Sequence, residues 1–392
     1  MILNEDTLKK ATLALSIFFL SLENHDNTRL VIVFAILFIY FIIHPKSYLN
    51  KNILKVFFSI SFLIMTVSIF SHYEWLSYVN NMINYGSIDF FGTMVFKLIL
   101  IAICFYISGL ESKVLADSLK IVIAIHVSVF FFQLIVVYST GYYIDLLQPF
   151  TGEASRYTWG VRLPIIGNTY RPTGFYNEPS TYSAFVICLF ILRYHITNKI
   201  DKLDKALLSS LFLSLSFASI FCAFFLMYFI KNNKENYKLK FLLATTVVVT
   251  LIPFVIDLLV LRTSGNYDAI GMRLGLFDVI FNQSMLDIFF GSGPVGVPRE
   301  IEYLVNNPGA SWARQGLPAL NDNGLGTFIL MKFGVIGLIL LLGILKFNLK
   351  SNRHFLCSLV ILITKLKYTS FIFLIYIFYV FIRKNMKHSH SV

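Results

Sequence analysis

The sequence predicts an all-α polytopic membrane protein, and three observations carry that reading. Of its 392 residues, 57% are hydrophobic and only 14% are charged, against roughly a quarter charged in a soluble domain. The mean hydropathy is +0.71. Apolar runs, some near the roughly 20 residues that a bilayer-crossing helix needs, alternate with short polar stretches rich in lysine.

Taken in order, the runs place spans near 11–22, 30–43, 52–70, 92–110, 121–138, 180–196, 241–260 and 325–346. Lys9 and Lys10 ahead of the first run imitate a signal peptide. No small-x-small cleavage site follows before Glu23, so 11–22 reads as the first span. Two segments need more than one helix. The run 206–230 has Lys199, Lys202 and Lys205 before it and Lys231, Lys234, Lys238 and Lys240 after it, and both flanks belong on the cytoplasmic side. It therefore predicts two short or re-entrant helices breaking near Ser214–Ser219, with the break buried in protein. The same reasoning divides 355–382, where Lys365, Lys367 and Tyr368 interrupt the run. Arg353 before it and Arg383, Lys384 and Lys387 after it mark the cytoplasm. These pairs bring the count to about 12 transmembrane helices, with both termini inside. The chain reads as a single transmembrane domain over 1–392 with two long external loops, 139–179 and 262–324. Loops of that length usually carry function.

The formal net charge of +12 is distributed through helix ends and loops rather than gathered in a patch, so no nucleic-acid partner is implied. Cys104, Cys188, Cys222 and Cys357 all fall in apolar runs without C-x-x-C spacing, which excludes a disulfide framework or a zinc site. Gly291-Ser-Gly-Pro-Val-Gly296 satisfies G-x-G-x-x-G in letter only. It lacks a strand-helix context and contains Pro294. No D-x-D is present to hold a metal-bound nucleotide sugar, so metal-independent chemistry without a cofactor is expected.

Arginine is partitioned unevenly. The two long loops hold Arg156, Arg162, Arg171, Arg262, Arg273, Arg299 and Arg314, seven of the 11 arginines, and none of the lysines. A guanidinium offers a planar fork for phosphate oxygens, whereas an ammonium is a hydrated point charge. The partition thus points to an anionic, phosphate-bearing ligand near the membrane surface. Pairing with the loop acids would account for the same arginines without a ligand. Lys97 and Lys332, in the outer thirds of predicted spans, could reach the same anion or snorkel to the interface.

The run Tyr170-Arg-Pro-Thr-Gly-Phe-Tyr-Asn-Glu-Pro-Ser-Thr-Tyr-Ser-Ala leads from the first long loop into a span. Pro179 suits a first helical turn, and Glu178 before it faces the positive end of the helix dipole. Here the chain resembles the O-antigen polymerase (Wzy) family of bacterial membrane glycosyltransferases, in which an R-x-x-G-[FL]-x-x-E-P-S segment ends an external loop. Arg171, Gly174, Phe175, Glu178 and Pro179 match it. A second likeness lies in Gly271-Met-Arg273-Leu-Gly-Leu-Phe followed by Gly291-Ser-Gly293. A third lies in Asn321-Asp322-Asn323-Gly324 leading to Gly334-Val-Ile-Gly337. Together they cover roughly residues 120–346.

The resemblance implies a GT-C-like membrane fold in the bacterial inner membrane. It also implies periplasmic transfer of a growing glycan from undecaprenyl diphosphate to a sugar hydroxyl of another undecaprenyl-diphosphate-linked oligosaccharide, with a chain-length-regulating co-polymerase as a further partner. Arg171 and Arg273 would stabilise the leaving diphosphate, supported by Arg156, Arg162, Arg262, Arg314, Lys97 and Lys332, while Glu178 or Asp322 would act as base. The plainer alternatives are that Glu178 caps its helix or pairs with Arg171, and that Asp322 merely shapes a turn. O-antigen ligases share the layout but place a functional histidine in the second large loop, and none of the eight histidines lies between 262 and 324. A lipid-linked oligosaccharide flippase is the rival outside enzymes, and its cations should line a cavity through the membrane.

Overall fold

A computed structural model describes residues 5–22, most of 32–40, 98–99, 101–151, 155, 161–163, 167–230, 269–293, 298, 322–349 and 351–389. The spans expected near 52–70 and 241–260 lie outside the described residues, and those near 30–43 and 92–110 are described only in part.

The first helix, α1 (Glu5–Ser21), carries Glu5 and Asp6 in its first turn, where acids oppose the positive end of the dipole. It buries Leu13, Ile17, Phe18 and Leu20, and packs on α2 (Ser112–Thr140). With 29 residues, α2 is about 44 Å long. It ends at Gly141, whose φ of 74° lets its N–H reach back to the Val137 carbonyl. Beyond it, the first long loop holds a single helical turn, Gln148–Thr151, and an antiparallel hairpin of β1 (Val161–Leu163) and β2 (Gly167–Thr169). The hairpin is the one departure, among the described residues, from the expected all-α architecture.

The centre of the bundle is α3 (Pro179–Thr197). It starts with proline at its first position and ends at Asn198 in the left-handed region. Nearly all its residues are buried against α2, α4 (Lys202–Leu213), α5 (Phe217–Ile230), α9 (Asn352–Ile363) and α10 (Phe371–Ser389). The second long loop contributes α6 (Ala269–Phe281) and α7 (Met285–Phe290), and α8 (Leu325–Asn348) follows it. By length and composition α2, α3 and α8 can cross a membrane. The helices α5, α9 and the apolar part of α10 are apolar but shorter.

Both segments expected to break do so, and both reverse. The chain leaves α4 at Ser214, passes Leu215 at φ 49° and re-enters helix at Phe217. The Phe212 and Phe224 rings then lie 5.0 Å apart, a separation that a straight helix, rising about 1.5 Å per residue, could not give. Likewise Tyr376 Oη donates to Ser358 Oγ at 2.5 Å across the 364–370 break. The first break is shielded at Ser214 and Ser216, whereas the second is shielded at Thr364 and Leu366 but exposes Lys367 and Thr369.

A third interruption was not expected. Gly334, with φ 65°, bends α8 in mid-span, and a Cβ there would collide with the Phe289 carbonyl of α7. The bend leaves the Met331 and Lys332 carbonyls to accept from the Ser292 and Gly293 backbone N–H groups at 3.0 and 2.9 Å. The Gly291-Ser-Gly293 turn and the Gly334-containing helix, separate signals in the sequence, are thus one packing unit.

Opposite ends of the bundle differ in character. Where α3 runs into α4, Arg193 donates to Asp204 at 2.5 Å and to Asp201 at 2.7 Å, and Lys120 of α2 also meets Asp201 at 3.1 Å. Burial alone would raise the Asp201 carboxyl. The Asp204 backbone N–H, Lys120 and Arg193 instead hold it below the usual carboxylate range. Arg353 lies near this end too, since His354 stacks on Tyr194. The expected cytoplasmic lysine flank, Lys199 to Lys205, shares it.

Candidate functional site

The site grows from the motif loop ahead of α3. Gln133, buried in α2, accepts the Thr173 and Gly174 backbone N–H groups at 3.2 and 2.8 Å and donates to the Gly174 carbonyl at 3.1 Å. Gly174 adopts φ 61°, and a Cβ on it would press on the Tyr182 ring at 3.2 Å. Glycine is needed there for both reasons. The next two residues anchor the loop. Phe175 packs edge-on against Phe18, and Tyr176 stacks on Phe185 while donating to the Ser21 carbonyl at 2.9 Å. His126 sits in this cluster, bonded to Ser21 Oγ at 2.8 Å, and has a packing role.

Fixed in this way, the loop delivers Glu178 to the start of α3. Its backbone is extended and its carbonyl receives Thr181 and Tyr182, but its side chain makes no capping bond to its own helix. It turns outward instead, to Lys365 Nζ at 3.0 Å, with the Ser180 hydroxyl donating to the same oxygen at 3.1 Å. Lys365 in turn pairs with Asp322 at 2.8 Å. One ammonium therefore joins the start of α3, the turn before α8 and the break between α9 and α10. The backbone reinforces the junction. The Leu325 N–H donates to the Thr364 carbonyl at 2.7 Å, and a Cβ on Gly324, which has φ 98°, would come within 2.9 Å of the Ile363 carbonyl.

Asp322 is thus more than a turn residue. All three side chains are mostly shielded, the lysine most of all: 14% exposed against 24% for Glu178 and 17% for Asp322.

Arg171 belongs to the neighbouring break. Its Nε donates to the Ser214 carbonyl at 3.2 Å, a group released when Leu215 turned the chain out of the helix. Lys332 lies lower in α8. It is buried, with Nζ 5.8 Å from the Phe328 ring centroid, and Phe328 stacks on Tyr368 of the α9–α10 break. A cation over an aromatic face is attracted to it, so Lys332 is held inside the bundle beneath the break rather than extended to its surface.

The remaining candidates are placed only by their backbone or not at all. Arg162 lies in β1 opposite Asn168, and Arg273 lies in α6. Arg156, Arg262, Arg314 and Lys97 lie outside the described residues. Among the described residues, no group of three or more His, Cys, Asp or Glu side chains is arranged to hold a metal ion.

The sequence reasoning missed Lys365 as a site residue. Lysine was absent from the two long loops, and that pattern drew attention to arginine. The usable signal was its position in the interruption of an apolar segment, which parity places on the same side as those loops.

Comparison with known proteins adds no assignment: no family model, curated protein or solved structure matches the chain.

Proposed function

We propose that the protein is a membrane glycosyltransferase of the O-antigen polymerase type, polymerising undecaprenyl-diphosphate-linked oligosaccharides on the periplasmic face of the bacterial inner membrane. The observation that carries this is the convergence of Glu178 and Asp322. The family resemblance singles out both acids from separate motifs, and both pair with Lys365 where α3 and α8 begin.

In the reaction, the acceptor hydroxyl oxygen bonds to the donor's anomeric carbon. The carbon–oxygen bond to undecaprenyl diphosphate breaks, and the electron pair leaves with the diphosphate. The hydroxyl proton passes to Glu178 or Asp322. Arg171, beside the buried α4–α5 break, and Arg273, on α6, supply guanidinium groups for the leaving diphosphate, a charge best stabilised where water is scarce. Positioning of two large lipid-linked substrates supplies much of the remainder.

The test uses purified protein in liposomes with lipid-linked repeat units extracted from a strain lacking the gene. Chain growth accompanied by release of one undecaprenyl diphosphate per new linkage is expected. Unchanged single repeat units would overturn the reading.

A further inference from the structure

We propose that α6 and α7 form a re-entrant pair that dips into the outer half of the membrane and presents an apolar face to the acyl chains of the external leaflet. The placement rests on how the pair contacts α8, and it holds whether or not the protein is a polymerase.

The contacts with α8 fix the depth. From Leu325, just past the Asp322–Gly324 turn, to Lys346 the helix runs for about 32 Å, close to the roughly 30 Å of a hydrocarbon core. Positive-inside bias puts the Lys346 end at the cytoplasmic face. Gly334 lies nine residues in from Leu325, about 14 Å, near the middle of that thickness. The end of α7 is packed onto this point: a Cβ on Gly334 would meet the Phe289 carbonyl, and one on Gly291 would meet the Lys332 carbonyl. Closer to the external end, Leu276 and Ile280 of α6 are buried with Met331 of α8. A helix pair held to a spanning helix at those levels lies within the membrane, although the loop that carries it is external.

The backbone suits that depth. Where the helices end, the Asn282, Gly291, Ser292 and Gly293 N–H groups donate to the Asp278, Asp287, Met331 and Lys332 carbonyls at 2.7 to 3.0 Å. Non-helical backbone away from water is tolerated only when it is paired in this way.

The side chains agree. Phe277, Phe281, Met285, Leu286, Phe289 and Phe290 are all exposed, from 36% at Phe277 to 75% at Met285, and the Phe277 and Phe281 rings stack along one ridge of α6 at 6.4 Å. An exposed apolar patch of this kind marks either a partner or a membrane, and its depth decides for acyl chains. The adjoining ridge of α6 exposes Asp278 and Asn282 instead. An acid at membrane depth faces a water-filled cavity rather than lipid, so α6 stands at the boundary between the two. Asp287 of α7 is half-buried and receives the Ser284 hydroxyl at 2.7 Å.

The experiment uses the full chain in nanodiscs with a nitroxide on one introduced cysteine at a time, the native cysteines all being buried. Phe281→Cys, Leu286→Cys and Phe290→Cys should be relaxed more by dissolved oxygen than by a water-soluble nickel chelate. Their oxygen-to-nickel ratios should be several-fold above that of Tyr142→Cys in the first long loop and close to that of Ile135→Cys, on an exposed face of α2. Asp278→Cys should match Tyr142→Cys. Wild-type protein supplies a measurement free of substitutions. In vesicles of phosphatidylcholine carrying a diazirine at the acyl-chain terminus, photo-crosslinks should map to 281–290 as well as to the exposed Ile339 and Leu340 of α8. Ratios at all three apolar positions as low as at Tyr142, or crosslinks at Ile339 and Leu340 with none in 281–290, would overturn the proposal. Weak relaxation by both reagents, the mark of a face covered by a second copy of the chain, would overturn acyl chains as the occupant. A lipid-like ratio at Asp278→Cys would overturn the boundary placement of α6.

Discussion

Arg171 does something no lysine can do at its position. Its Nε–H, set back from the end of the side chain, donates to the Ser214 carbonyl at 3.2 Å, and the guanidinium extends beyond. Arg171→Lys retains the charge but loses that donor and the planar fork. A charge-assisted hydrogen bond contributes about 1.5 to 3 kcal/mol, so polymer made by the complemented strain should fall 10-fold or more. Arg273→Lys should fall comparably through loss of the fork. Near-normal ladders from both variants would show that charge alone suffices. Gln133→Leu tests the scaffold instead. It strands the Thr173 and Gly174 backbone groups in the interior, at about 1 to 3 kcal/mol for each buried group left unpaired. A lower Tm in detergent is expected, with activity lost in proportion. The acids of the site were legible because each sits in a compact local motif. Lys365 was not, because its partnership with Glu178 joins residues far apart in the chain and no local pattern records it.

The broken helices were legible at the level of elements because charge parity demanded them: lysines flank 206–230 on both sides, so the chain had to return. The bend in α8 was not, because the apolar pattern runs through Gly334 without a break and the reason for it lies in α7, outside that helix. Gly334→Ala combines a backbone conformation essentially open to glycine alone, at about 1 to 3 kcal/mol, with a collision against the Phe289 carbonyl. Loss of folded protein in fluorescence-detected size exclusion is the expected outcome. Gly343→Ala, where nothing lies near the added Cβ, should be tolerated. At the other end, Asp204→Asn weakens the pairing in which Nη1 of the buried Arg193 donates to both Asp204 oxygens. Breaking one partner of such a pair typically costs about 3 to 5 kcal/mol. Asp201 contributes with a definite sign. Its folded carboxyl is held below the ordinary range, so its stabilisation is present above the unfolded carboxylate value and lost as pH falls through the folded one. The acid-induced drop in Tm should therefore shrink in Asp201→Asn.

Across the molecule, the two ends of the bundle divide the chemistry. One gathers Lys120, Arg193, Asp201 and Asp204, the other Arg171, Glu178, Asp322 and Lys365. Positive-inside bias assigns the first to the cytoplasm. The native cysteines are all buried, so single exposed cysteines report the topology directly. Cysteines at Lys199 and Arg353 should resist an impermeant maleimide in intact cells, whereas those at Tyr142 and Lys367 should react. Labelling of the first pair alone would invert the site, and labelling of all four would contradict the placement of the two ends on opposite sides. The central claim is polymerisation, and it is tested most directly by the surface glycolipids and undecaprenyl-linked glycans of a strain lacking the gene, before and after complementation. The account predicts core bearing a single repeat unit in the deletion strain and a restored ladder on complementation. Long polymer accumulating on undecaprenyl diphosphate in the deletion strain, or the absence of every periplasmic repeat unit, would contradict it and point to a ligase or a flippase respectively.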